Sequence, residues 1–385
     1  MGAANSVIEC VPIEIEPAQK PNQAEGWRKI IRLARKGGPA LKPRSFLRLS
    51  VPYLAVLLGT GLLGYLVFRS GPETVWKQLQ AVGWGFALVI VLGGFSQLAK
   101  TCAWRHAFTC DIQGLSWSRS FVGQLISDGM GQFGIAGKVL GEGMRISLLG
   151  RAVPLSNALS AGAIDGALHT FSAILITVSG ISATLLIAPV PGKWRVYAGF
   201  MVAVLISAVI LAAVSVKNRW PLVGSAIRAI GRVPRLHHWV SGKQPIVDNA
   251  EHNLLTFHEV APTAFWATFM FNLLWHALAV LEVYVILWFM GARIALGSAF
   301  VVEGLTKVIN LVGALNPGNF GTYEGGIMLI GKIFGVTGTA GLTLALCRRA
   351  RTVFWATIGA ICTLLMKKAQ PTLIHGEKQF ESTEA

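Results

Sequence analysis

Asn316-Pro317-Gly318-Asn319-Phe320-Gly321-Thr322-Tyr323-Glu324-Gly325-Gly326 stands between two long apolar runs of a 385-residue chain. Pro317 fixes its own φ, removes a backbone donor and pushes Asn316 out of helical space. Gly318 and Gly321 admit left-handed turns, and Gly325 and Gly326 admit close approach of another backbone. In lipid, non-helical backbone of this kind is tolerated only where protein buries it or it lines a wet cavity. An ionisable Glu324 at that depth marks a functional site. The plainer reading is a helix start, with Thr322 as N-cap and Glu324 in the first turn, facing the positive end of the dipole.

The composition supplies the membrane. Only 14% of residues are charged and 53% are hydrophobic, against about 25% charged in a soluble protein, so much of the surface faces something other than water. Several uncharged windows reach the roughly 20 residues that a bilayer core requires. The predicted fold class is all-α: a polytopic helical membrane protein with about 7–9 transmembrane spans, Gly-rich re-entrant segments and an inverted repeat. The net charge of +16 sits beside apolar spans rather than among stacking aromatics. That pattern points to cytoplasmic segments held against anionic lipid and away from nucleic acid. The five cysteines form no CxxC or His-containing metal spacing and read as unpaired thiols. No metal or cofactor is expected.

Residues 1–48 read as a cytoplasmic tail with a basic amphipathic helix. Trp27, Ile30, Ile31 and Ala34 share one face of it, and Arg28, Arg32 and Arg35 the other. Nine basic residues and one acidic residue between Lys20 and Arg48 place the N-terminus in the cytoplasm. The membrane domain spans 49–368 and a polar, disordered tail 369–385. Spans are expected at Leu49–Phe68 and Val82–Ala99, with a return loop over Lys100–Arg119. Phe121–Leu149 is too rich in glycine and charge for an ordinary span, holding Asp128, Lys138, Glu142 and Arg145. Two further spans read as 158–187 and 194–216. The loop 217–245 carries six basic residues and no acidic one, which makes it cytoplasmic and leaves 121–140 to dip in and return.

Residues 246–260 suit a surface helix, with His252 and His258 solvated rather than metal-bound. Span 262–290 contains His276 and Glu282; His276 reads as a packed hydrogen-bonding group, with proton carriage the alternative. Glu303 and Lys307, four apart within 294–315, neutralise each other as a packing device between helices. After the Pro-Gly motif comes a run over 327–347. Arg348, Arg349 and Arg351 then precede a last span ending at Lys367-Lys368. If the second glycine-rich hairpin enters from outside, the half from 262 mirrors the half from 82.

Gly141-Glu142 with Arg145, followed by Leu148-Leu149-Gly150-Arg151, resembles the first signature of the flippase-like integral membrane proteins related to the membrane region of lysylphosphatidylglycerol synthase. Pro317-Gly318-Asn319-Phe320-Gly321-Thr322-Tyr323-Glu324 resembles the second. Where the first signature usually has a proline ahead of its Gly-Glu, this chain has Gly134-Ile135-Ala136-Gly137. The resemblance covers about residues 50–368 and is most similar to the hopanoid-biosynthesis-associated branch. It implies translocation of a hopanoid or phospholipid across or out of a bacterial inner membrane. The residues it points to are Glu142, Arg145, Pro317, Gly318, Gly321 and Glu324. No aminoacyl-transfer domain follows, so lysyl transfer is not expected.

Three functions compete. A lipid transporter uses charged, glycine-flanked positions at membrane depth: Arg145 pairs with a phosphate through its fork of donors, and Glu142 and Glu324 receive a cationic or hydroxylated headgroup or carry protons. Against it stands a self-neutralising Glu142–Arg145 pair, three apart on a helix. A lipid-modifying enzyme needs a catalytic constellation, and the chain has no Walker loop, HExxH or Asp-rich metal motif. Asp165 and His169, four apart, come nearest to an acid–base pair and read better as a packed polar contact. A scaffold for lipid synthesis would have only the N-terminal tail and the 217–260 region to offer.

Overall fold

The computed structural model describes Tyr65, Phe68 and residues 72–368, with short gaps at 110–111, 113–114, 133, 150–152, 154, 188–190, 233–243, 314–315, 317–318 and 334. The expected tails at 1–48 and 369–385, most of the span at 49–68, and Pro317 and Gly318 lie outside the described residues. Within them the chain is helical throughout. In order these are α1 (Pro72–Val82), α2 (Gly85–His106), α3 (Trp117–Gly131), α4 (Gly134–Ser147), α5 (Leu155–Ile187) and α6 (Gly192–Asn218). Then follow α7 (Leu222–Gly231), α8 (Gln244–Val260), α9 (Pro262–Phe289), α10 (Leu296–Val312), α11 (Thr322–Ile333) and α12 (Gly338–Lys368).

Four of these helices, α2, α5, α6 and α9, are long and apolar enough to cross a bilayer. The sequence reading of 158–187, 194–216 and 262–290 therefore finds helices where it expects spans. α6 is barely covered by protein, and its side chains, Phe200, Val204, Ile206 and Ile210 among them, face outward. An all-round apolar helix in that position is what lipid contact requires.

The packing repeats. α2 lies along α9. α3 pairs with α4 and α10 with α11. α3 packs on α12 as α10 packs on α5. Exchanging α2 with α9, α3 with α10, α4 with α11 and α5 with α12 leaves this pattern of neighbours unchanged. The two glycine-rich stretches thus become two helical hairpins, each leaning on the long helix that follows the other. In the first, a Cβ at Gly141 would stand 2.8 Å from the Ser127 carbonyl of α3, so the hairpin closes only because that Cβ is missing. In the second, Gly321 (φ 72°) and Asn319 (φ 50°) turn the chain into α11. The close neighbour of Gly326 is the Ile309 side chain of α10, not another backbone.

Two element boundaries correct the sequence reading. Lys100 and Arg105 belong to α2, which continues to His106 instead of ending at Ala99. The apolar run over 327–347 is broken: α11 ends at Ile333, the chain turns at Gly335 (φ 72°), and α12 begins at Gly338. Arg348, Arg349 and Arg351 consequently sit inside one 31-residue helix rather than at the mouth of a span. Charged residues read as flanks when their partners are unknown; here carboxylates on other helices neutralise them within the helix. Lys332, set in an apolar stretch of sequence, ends up exposed in the last turn of α11.

Candidate functional site

In the first half the charged side chains of α2, α4 and α5 converge. Arg145 lies over the Trp104 ring, 3.9 Å from its centroid. Its Nη1 donates to Glu142 Oε1 at 3.3 Å and stands 3.9 Å from Asp165 Oδ2. Ser127 on α3 donates to the same Glu142 oxygen at 2.6 Å. Glu142 and Arg145 are therefore paired as their three-residue spacing predicts, but the pair is not closed. Arg145, 3% exposed, keeps Nε and Nη2 without a hydrogen-bond partner among the described residues. The Glu142 side chain is 42% exposed.

Lys100 lies 3.4 Å from both oxygens of Asp165 and donates to Asn272 Oδ1 at 2.9 Å. Asn272 on α9 donates in turn to Asp165 at 3.1 Å, and His169 donates from Nδ1 to Asn272 Oδ1 at 3.1 Å. Asp165 and His169, four apart on α5, are thus linked through an asparagine 107 residues from the aspartate. Asp128 stands apart from this group and accepts from Gln97 at 2.7 Å.

In the second half, Glu324 is fully buried. One of its carboxylate oxygens accepts the Gly321 N–H at 2.7 Å, a helix-start role, but α11 already begins at Thr322 and Gly321, not Thr322, stands in the N-cap position. The other receives Arg349 Nε of α12. Arg349 also donates to the Asn319 carbonyl at 3.0 Å and lies over Phe320, 4.3 Å from the ring centroid. Glu324 is thus both a cap and half of an ion pair between the hairpin and the helix that follows it.

Beside it lies a second network. Glu303 takes Lys307 at 2.5 Å and Arg348 at 2.9 Å. Glu282 on α9 stands 3.3 Å from Arg348 and 3.2 Å from Arg351. The expected self-contained Glu303–Lys307 pair is therefore one edge of a network across three helices, because Glu303 carries two oxygens and Lys307 uses one. His276 departs from expectation as well. Neither of its ring nitrogens has a hydrogen-bond partner among the described residues. Instead it stacks on His169, centroids 5.3 Å apart and planes 5° from parallel.

The structure brings Glu142, Arg145, Asp165 and His169 into one group and Gly321 and Glu324 into another, with Glu303 and Lys307 adjoining the second. Sequence reasoning missed Lys100, Trp104 and Asn272 in the first half, and the roles of Glu282, Arg348, Arg349 and Arg351 in the second. The signal available was weak: a Lys six residues before the end of α2, and arginines whose spacing alone does not reveal a partner.

A comparison with curated proteins and one with solved structures return no match. A family model does match, over residues 53–360, that of the lysylphosphatidylglycerol synthase TM region. With most of the chain covered, both hairpins and every ion pair just described included, this polytopic helical membrane protein belongs to the lysylphosphatidylglycerol synthase transmembrane-region family.

Proposed function

We propose that the chain is a lipid transporter of the bacterial inner membrane, its N-terminus cytoplasmic, that moves a hopanoid or a phospholipid across or out of that membrane. It does so without chemical change to the lipid and without a cofactor. The observation that carries this reading is the placement of the ion pairs. Each hairpin is tied to the long helix that follows it by a charge pair, Arg145–Asp165 in one half and Glu324–Arg349 in the other.

A bare charge inside a bilayer is expensive. Helices held together by exchangeable pairs offer a headgroup substitute partners at each step. On this reading the hairpins are re-entrant, entering from opposite sides as halves of an inverted repeat, and the repeated packing supports that arrangement. Glu142, half-exposed, and Arg145, with two donors unpaired among the described residues, form the receiving end. Glu324 and Gly321 form the corresponding end of the second hairpin. In the second network three cations, Lys307, Arg348 and Arg351, face two carboxylates, Glu282 and Glu303. That surplus favours a phosphate-bearing headgroup over an uncharged one. The basic cytoplasmic segments lie against anionic lipid.

The test is a lipid inventory of separated inner and outer membranes, with and without the protein. Build-up of one lipid class in the inner membrane of cells lacking it supports transport. Disappearance of a lipid from both membranes would assign an enzyme instead.

A further inference from the structure

Between the two charge groups lies a feature that the transporter reading leaves unused. His169 of α5 and His276 of α9 stack face to face where α5 and α9 meet α10. His276 is fully buried and has no hydrogen-bond partner at either nitrogen among the described residues. Trp275 meets both rings edge-on, at 5.0 Å from His169 and 4.9 Å from His276. The Lys307 ammonium of α10 lies 4.7 Å from the Trp275 ring centroid.

The charged groups that act on the pair are Lys307 and Glu303 from α10 and Lys100 from α2. None of the acids is idle. Glu303 is held by Lys307 and by Arg348 of α12, Asp165 of α5 is shared by Lys100 and Arg145, and Glu282 of α9 is held by Arg348 and Arg351. A buried imidazole without a partner is a polar group at a cost. Among the described residues an imidazolium there would face two lysines and no uncommitted carboxylate, so the closed junction accommodates the pair only without an added proton.

The halves touch along α2 and α9, and again where α5 meets α10, eleven residues along α5 from His169. α5 crosses α10 at Gly180 and Gly304, so closely that a Cβ on either would stand 3.0 Å from the other's Cα. α12 crosses α3 in the matching way at Gly359, where a Cβ would stand 2.7 Å from the Leu125 side chain. Backbones in such contact slide or part as bodies rather than deform.

We infer that the stacked His169–His276 pair is the proton acceptor that couples movement of one half against the other to the proton supply. This inference rests on the transporter reading. As α5 parts from α9 and α10, one proton from the aqueous phase adds to a ring-nitrogen lone pair. The proton returns to water before the junction closes, and no bond between heavy atoms changes. Lys307 and Arg348 hold Glu303 throughout the closed state, so a proton cannot be trapped there.

Hydrogen–deuterium exchange of the full chain in phosphatidylethanolamine–phosphatidylglycerol nanodiscs tests this between about pH 8 and pH 5, the range in which an accessible histidine titrates. Below about pH 6.5, the opening constant at α5 and α10 amides should rise roughly tenfold per pH unit for one proton taken up, after correction for intrinsic exchange. His276→Phe keeps an aromatic ring and removes the proton site, and should flatten the profile while leaving protection at about pH 8 unchanged. His276→Gln and His169→Phe provide the same test should His276→Phe loosen the fold. A wild-type profile without slope overturns the inference, as does a wild-type slope in folded variants lacking the imidazoles. Because exchange is read without lipid movement, either result leaves the transporter reading to be judged separately by the membrane inventory.

Discussion

Consider Glu324→Gln. The wild-type carboxylate has no exposed surface and divides its oxygens between the Gly321 N–H and Arg349. Glutamine keeps one oxygen, which serves either donor but not both, and turns an amide N–H₂ toward whichever is left. Arg349 then loses the Glu324 carboxylate in a largely buried place. Removing one partner of a buried ion pair costs about 3–5 kcal/mol. The lower end applies, because Arg349 retains the Asn319 carbonyl and its side chain is 19% exposed. A loss of about 3 kcal/mol, roughly 150-fold in the unfolding equilibrium, is the expected result.

A cap alone would be worth about 1 kcal/mol or less. Adding Arg349→Met removes the cation and should recover at least half of the loss, a coupling of about 1.5 kcal/mol or more. Thermal unfolding followed by a thiol-reactive dye measures both variants, in a background where Cys347 is the one cysteine kept; it is 2% exposed on α12 beside the pair. Single losses that simply add in the double variant would refute the claimed pairing.

Glu303→Gln should cost about 3–5 kcal/mol by the same assay, since Lys307 loses its carboxylate and Arg348 one of its two. Adding Lys307→Met should restore only part of it, because Arg348 also relies on Glu303; full recovery would return Glu303–Lys307 to an isolated pair. Arg145→Lys should cost about 2 kcal/mol through loss of the stack on Trp104 and of the fork, where a change under about 0.5 kcal/mol would deny the stack any weight. For topology, single cysteines at Ser116 and Leu155, both exposed and flanking the first hairpin, should resist impermeant reagents applied from outside intact inner membrane. Labelling at one but not the other would mean that the hairpin crosses.

What could be read from the chain was local. The glycine-rich runs announced hairpins, and Glu142 with Arg145, or Glu303 with Lys307, announced pairs, because partners three or four residues apart share a helical face. The long apolar runs announced α5, α6 and α9. What could not be read was the choice of partner across helices. Arg349 finds Glu324 from 25 residues away and Lys100 finds Asn272 from 172. An arginine cluster awaiting neutralisation inside a bundle has the same spelling as one lying in a loop. Lys100 was misplaced for that reason, and so were the three arginines of α12. His276 was legible as unusual but not as unpartnered, since only the packing of α5 and α10 around α9 decides what reaches its ring.

The most direct test of the central claim compares inner- and outer-membrane lipids in cells lacking the protein and in cells supplied with wild type or with Glu324→Gln plus Arg349→Met at equal abundance. The double variant restores the charge balance and much of the stability but removes the exchangeable pair. The prediction is that wild type clears the lipid class accumulating in the inner membrane and the double variant, though folded and inserted, does not. Full clearance by the double variant would contradict it, and would leave the Glu324–Arg349 pair as architecture alone.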